Sequence, residues 1–301
     1  MTLRSAALAF GLFASSLPAV AQDSDAQQLA TLLEKVAPSV VNVRIVLKVE
    51  VTAMGQVVQN QEERSSATGV VVDPSGLIMI SNSAVSADRV NKMIAASGRE
   101  GIDVSIRPTD LKVIFEGGEK EHPAFLAASE PDLDLAFVQL ESVEGLELQA
   151  VSFADSPKPT VGQRLVQVSR LSEGFDYAPH FSLGRVSGKI RKPRKAFSVT
   201  GNFIGPGLPL YDLQGAALGV LTSLESGVQE SSSRLAQAMG GGAGHGAFLL
   251  PAKKVRGVVQ QALQRAKEVA AERAKAPKVE QGDEAPSGEG GEAAPSGAEG
   301  Q

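Results

Sequence analysis

The sequence predicts a mostly β protein of two similar β domains, barrels or sandwiches, with a short helix in front and a longer helix behind. Three observations carry this expectation. Many short apolar or alternating stretches are separated by Gly/Pro/Asp turns. They fall into two runs divided at 142–160, which hold Gly145, Pro157 and Pro159 and few large apolar groups. Stretches with helical periodicity flank the two runs, at 25–36 and after 251.

The elements follow in chain order. Arg4 precedes a short apolar run, "SAALAFGLFASSLP", and "AVA" at 19–21 offers small residues to a signal peptidase. Residues 1–21 therefore read as a cleaved secretory signal ending at Ala21. The run is too short for a bilayer span, which needs about 20 apolar residues, and no other stretch qualifies. In 25–36, Leu29, Leu32, Leu33 and Val36 share one helical face, and Pro38 limits the helix. In 40–51, Val41, Val43, Ile45, Leu47, Val49 and Val51 alternate with Asn42, Arg44, Lys48 and Glu50, the period of a half-buried strand. Residues 54–66 are polar and read as a flexible loop. "ATGVVVDPSGLIMISNSAV" (67–85) reads as two strands around the turn Asp73-Pro74-Ser75-Gly76. Residues 111–141 give three more, turning at Gly117-Gly118 and around Glu130-Pro131-Asp132. The break then divides a first unit, 22–145, from a second, 146–275. The second has strands at 164–170, 181–190, 196–203, 208–222 and 246–251. Pro251 opens the closing helix as its first residue, with Val255, Val258, Val259, Ala262, Leu263, Ala266 and Val269 as its apolar stripe. From 276 the chain turns to Pro, Gly, Ala, Ser and Glu, with near-repeats "EAPSGEG" and "EAAPSGAEG". Such a composition buries too little apolar area to offset chain entropy, so 276–301 reads as a disordered acidic tail.

Composition removes several classes of function. The chain has no cysteine, hence no disulfide, thiolate nucleophile or sulfur metal site. Its three histidines, His122, His180 and His245, lie far apart without metal-ligand spacing, and neither a metal nor another cofactor is expected. The net charge of −5 is carried by the tail: 279–301 holds six acids and no base. The folded body is neutral, so no global field argues for nucleic acid.

Several phrases together resemble the protease domain of the HtrA (DegP) family. "LLEKVAPSVVNVRI" is similar to its opening helix and first strand. "TGVVVDPSGLIMISNSAV" is similar to the hairpin leading to the family's histidine, and "FLAASEPDLDLAFVQLE" to the strand bearing its aspartate. "GPGLPLYDLQGAALGV" is similar to its nucleophile turn, and "GAFLLPAKKVRGVVQQAL" to its closing strand and helix. The likeness runs in order from about 29 to 265. It implies two perpendicular antiparallel β-barrels with a cleft between them. It also implies a triad of serine nucleophile, histidine base and orienting aspartate, in the order His, Asp, Ser.

Carried over position by position, the histidine falls on Ser83 in "ISNSAV", the aspartate on Asp134 in "LDLAF", and the serine on Pro206 in "GPGLPL". Only the aspartate is kept. Proline also lacks the backbone N–H that an oxyanion hole takes from the nucleophile residue, and Leu208 replaces a family glycine. The resemblance thus implies an exported pseudoprotease that acts by binding polypeptide, as scaffold, chaperone-like partner or regulator, periplasmic or secreted. The alternative is an active serine endopeptidase with non-standard residues, built from Ser81, Ser83, Ser198 or Thr200 with His180 or His245 as base. The family usually carries PDZ domains after this region; here the closing helix passes into the acidic stretch, so none is expected.

Two further features have competing readings. Asp134 is either a strand-end carboxylate satisfied by backbone N–H groups or a triad relic bonded to the Ser83 hydroxyl. "GKIRKPRK" gathers Lys189, Arg191, Lys192, Arg194 and Lys195, which join Arg185 in a stretch, 177–211, without an acid. It is either a solvated hairpin tip or an anion-binding patch for acidic protein, envelope polymer or lipid headgroups, and the acidic tail is one candidate for it.

Overall fold

The computed structural model describes residues 20–99, 101–115, 120–192, 194–223 and 247–275. Residues 1–19, which hold most of the expected leader, Gly117-Gly118, Pro193, His245 and the acidic tail lie outside the described residues. Helix α1, Val20–Val36, leads through a short 3-10 turn, Ala37–Ser39, into the first strand. Leu29, Leu32 and Val36 are buried and Leu33 packs beside them, the face expected from their spacing.

Six strands close the first barrel: β1 (Val40–Ala53), β2 (Gln56–Asp73), β3 (Leu77–Ser81), β4 (Ile102–Ile114), β5 (Glu121–Glu130) and β6 (Leu135–Leu140). Their order around the barrel is β1-β2-β3-β6-β5-β4. Val41, Val43, Ile45 and Leu47 of β1 meet Val71, Ile78, Ile80, Val113 and Val138 in the interior. Strand alternation puts one residue in two inside, and each fully buried branched side chain contributes about 1.5–3 kcal/mol.

One expectation is overturned here. Residues 54–66 are not a flexible loop. Only Met54-Gly55 turns, and β2 begins at Gln56 and runs unbroken into the barrel, paired with β1 from Ala53↔Gln56 to Val40↔Val70. On its other side β1 pairs with β4 from Ala53↔Ile102 to Asn42↔Ile114. The three strands form an arm that projects beyond the barrel. Its outer half is wet on both faces, so it lacks the apolar alternation that marks a strand in sequence. Helix α2, Asp88–Ala96, leans on this arm: the Asn91 side chain donates to Val104 O (2.7 Å) and accepts from Val104 N–H (2.9 Å).

Residues 141–163 carry no helix or strand and lead to the second barrel. It consists of β7 (Arg164–Arg170), β8 (Pro179–Ile190), β9 (Ala196–Gly201), β10 (Pro209–Tyr211), β11 (Ala217–Ser223) and β12 (Ala247–Pro251). Its order, β10-β11-β12-β9-β8-β7, repeats the connectivity of the first barrel. Leu165, Val186, Phe197, Leu210, Leu218, Leu221 and Leu249 fill it. Pro251 differs from expectation: it ends β12, opposite Gly219, and α3, Ala252–Lys275, starts one residue later. Proline's fixed φ also suits a strand end, where it need not donate.

A third apolar cluster joins the parts. Phe137 and Met79 of the first barrel, Val166, Tyr211 and Val220 of the second, Leu32 and Val36 of α1, and Val255, Val259 and Ala262 of α3 pack together. Two arginines tie the same parts through polar atoms. Arg170 of β7 is buried and donates to Val40 O (2.6 Å), Ala37 O (2.8 Å) and Tyr177 O (3.1 Å). Arg44 of β1 pairs with Glu121 of the first barrel and with Glu173 of the second (2.6 Å), and reaches the Tyr177 hydroxyl (3.1 Å).

Lys112 sits 2.7 Å from Glu121, and with Arg44 it holds this carboxyl below the ordinary glutamate range. A depressed carboxylate favours the folded state above the unfolded pKa and loses that contribution as pH falls through the folded one. A carboxyl-resolved NMR titration of Glu121 is therefore expected to give a midpoint below 4.5, and Lys112→Ala to raise it. An unmoved midpoint in the variant would remove the assigned cause.

Candidate functional site

The site grows from two chain ends in the first barrel. β3 finishes at Ser81 and turns through Asn82–Ala84. Before β6, Pro131–Leu133 makes a 3-10 turn that Asp134 closes at φ 53°, a left-handed conformation that aspartate tolerates. β3 and β6 are ladder neighbours, with Ser81 opposite Leu135. Asn82 N–H donates to Asp134 O (3.1 Å), so the two ends meet.

Asp134 is buried, and its carboxylate gathers donors. Oδ1 accepts from Ser83 N–H (3.0 Å), the Ser83 hydroxyl (2.9 Å) and the Ser81 hydroxyl (3.0 Å). Oδ2 accepts from the Ser223 hydroxyl of the second barrel (2.9 Å). The two hydroxyls at Oδ1 also lie 2.7 Å from each other, and each carries one proton, so they share two protons among three contacts. The bond between Ser83 and Asp134 is thus present, and a backbone N–H satisfies the same oxygen. Next to it Thr222 donates its hydroxyl to Leu133 O. The carboxylate therefore lies at the seam of the two barrels.

The Gly205-Pro206-Gly207 turn reaches the same seam from the other side. Gly207 has φ +90° and lies so close to Ser81 that a Cβ there would stand 2.5 Å from Ser81 N. Its N–H donates to Leu221 O (2.8 Å). The buried Gln167 braces the turn: its Oε1 accepts from Ile204 N–H (2.7 Å) and its Nε2 donates to Gly205 O (3.4 Å). Pro206 is half-buried, and Leu208 is buried beneath it.

A pocket of about 110 Å³ opens beside the carboxylate, lined by Asn82, Ser83, Asp134 and Ser223, with Arg89 and Lys92 of α2 and Arg194 at its edges. Arg194, on the β8–β9 hairpin, lines this pocket together with Asp132 and Asp134. The rest of the basic group divides. Lys189, Arg191, Lys192 and Lys195 are exposed around the hairpin tip, where Ile190 pairs with Ala196. Arg185 lies five residues back, opposite Thr200, with its guanidinium on Gly162 O (3.0 Å).

Among the described residues, Ser198, Thr200 and His180 make no hydrogen bond to one another. Ser198 accepts from Ser187 (3.0 Å). The ring nitrogens of His180 are buried without a hydrogen-bond partner among the described residues, as is the hydroxyl of Ser169 opposite it. Among the described residues no cluster of His, Asp or Glu has the size to hold a metal ion, and no helix is long and apolar enough to cross a membrane. The sequence offers Ser81 as an alternative nucleophile but not as a donor to Asp134. Ser223 and Gln167 are not marked in it, because they come together only through barrel docking.

Paired six-stranded antiparallel barrels of one connectivity, meeting at an aspartate and a tight glycine turn, define the trypsin-like class. The model described as "Trypsin-like peptidase domain" matches residues 67–220, just over half of the chain, and the chain belongs to that family. Among solved structures, a crystal structure of Deg5 is similar at 19% identity with a TM-score of 0.46, over 77% of this chain and 91% of that one. A search of curated proteins finds no match.

Proposed function

We propose that this chain is an exported HtrA-type pseudoprotease that binds polypeptide in or near the cleft between its barrels. The collinear motifs support the HtrA assignment. One observation carries the loss of hydrolysis: three serine hydroxyls and an N–H occupy the carboxylate that would orient a catalytic imidazole, while an imino acid stands in the nucleophile's turn. An aspartate in a triad holds a histidine that takes the serine proton. Here Ser83 provides no imidazole and Pro206 no hydroxyl. In a serine protease, losing triad members costs about a millionfold in turnover.

The oxyanion donors fail as well. They come from the nucleophile residue and from the residue two before it. Pro206 has no N–H, and that of Ile204 is engaged by Gln167. Losing one such donor costs about a hundredfold or more. What remains is a trypsin-like body with a polar seam and a cleft, a surface suited to holding a polypeptide or an envelope protein. The leader ending at Ala21 supports the periplasm or beyond as its place of work, with 22–145 and 146–275 as its two folded units and 276–301 as a tail.

A fluorophosphonate probe and a β-casein digest test this directly. The purified protein is expected to take up no probe and to leave casein intact over a day. Labelling of one mapped serine, with casein turnover lost on its replacement, would establish instead an endopeptidase with non-standard residues.

A further inference from the structure

We infer that the acidic segment 280–299 of this same chain occupies the basic tip of the β8–β9 hairpin. This does not rest on the loss of hydrolysis. Lys189, Arg191, Lys192 and Lys195 are exposed at the tip, and no acid occurs between 177 and 211 to neutralise them. Arg194 beside them is half-buried and lines the pocket with Asp132 and Asp134, so the exposed charge at the tip belongs to the other four. The body as a whole is neutral. Two acid-rich stretches lack a Lys or Arg: 121–157, where Glu121 is paired with Arg44 and Lys112, Glu141 with Arg273, and Asp134 is held by serine hydroxyls, and the tail, with Glu280, Asp283, Glu284, Glu289, Glu292 and Glu299. Two unbalanced charge blocks on one chain attract each other at millimolar effective concentration when the connecting length spans the gap.

The length does span it. Arg273 in the last turn of α3 pairs with Glu141 (2.7 Å) and covers the Phe125 ring at 4.9 Å, which fixes the helix end where β6 finishes. The hairpin reaches the opposite end of β6, where Arg194 and Asp134 line one pocket. Six residues of strand separate these ends, about 20 Å. From Lys275, an extended chain covers about 17 Å by Glu280, about 27 Å by Asp283 and about 58 Å by Glu292. The middle acids therefore reach the tip with slack. Bound there, the tail shields the basic surface beside the pocket, and a stronger polyanion or raised salt frees it.

Carbodiimide cross-linking of the full chain, which joins carboxylates to amines in contact, tests the placement. The monomer is expected to yield peptides linking the tail acids to Lys189, Lys192 or Lys195, and to lose them in 0.5 M NaCl. Tail cross-links confined to other lysines or to dimers, or none at all, overturn it. A second arm measures binding of a hexaglutamate peptide. The variant carrying Glu280→Gln, Asp283→Asn, Glu284→Gln, Glu289→Gln, Glu292→Gln and Glu299→Gln is expected to bind at least threefold more tightly than the parent. Equal affinity defeats the proposal. So does equal binding of both proteins to phosphatidylglycerol vesicles at low salt, which makes lipid the occupant.

Discussion

Arg170→Met is expected to lower the unfolding temperature by roughly 6–12 °C. The guanidinium is buried and donates to three backbone carbonyls: Ala37 in the turn before the first barrel, Val40 at the start of β1, and Tyr177 before β8 in the second barrel. Methionine fills similar space but donates nothing. A hydrogen bond from a charged donor contributes about 1.5–3 kcal/mol, and a stranded buried acceptor costs about 1–3 kcal/mol. Part of each carbonyl relaxes toward water, so about 3 kcal/mol is a fair sum. For a body of this size each kcal/mol moves the midpoint by about 2–4 °C. Arg170→Lys separates charge from geometry. It keeps the charge but cannot reach three carbonyls at once, and a loss close to that of methionine is expected. Calorimetry showing a drop under 2 °C in Arg170→Met would mean that Arg170 does not clamp the barrels.

Gly207→Ala is expected to damage the seam itself. Its φ of +90° is strained for any L side chain, and the added methyl would meet Ser81 N at 2.5 Å and Ile80 C at 2.8 Å, both backbone atoms that cannot swing aside. The two barrels must part locally or Ser81 must move. Either response disturbs the hydrogen bonds at Asp134, because Ser81 is one of its donors. A loss of about 3 kcal/mol is expected, together with increased amide exchange at Ser83, whose N–H rests on Asp134. Gly205→Ala is the control. Gly205 also has positive φ, but nothing lies within 4 Å of its missing Cβ, so its cost is expected to be smaller. Equal stability of Gly207→Ala and the parent would show that the turn does not press on the first barrel.

The parts of the fold that were legible in sequence are those with one wet and one dry face. β1 alternates because its inner half faces a core, and α3 carries a stripe because one side lies on both barrels. The arm was not legible for the converse reason: at 56–66 neither face is buried, and the strand is held by its ladder to β1. α2 was passed over on the same ground, since none of its residues is buried. At the site, the positions Ser83, Asp134 and Pro206 could be assigned from flanking motifs. The contacts that assemble them could not. Ser223 on Asp134, Gln167 on the nucleophile-like turn and Gly207 on Ser81 each join residues far apart in the chain, and no local periodicity records such meetings.

The projecting arm has a practical consequence. Beyond Ser66 on β2 and before Asp110 on β4, its outer edges take no further strand among the described residues, and its side chains are largely in water. Exposed substitutions there change stability by only about half a kcal/mol. Met54-Gly55, both at positive φ, fixes the reversal at the far end. An epitope, a fluorophore or a tether grafted near that reversal would ride on a stiff ribbon clear of both barrels, giving a handle for immobilising the protein with its cleft left free.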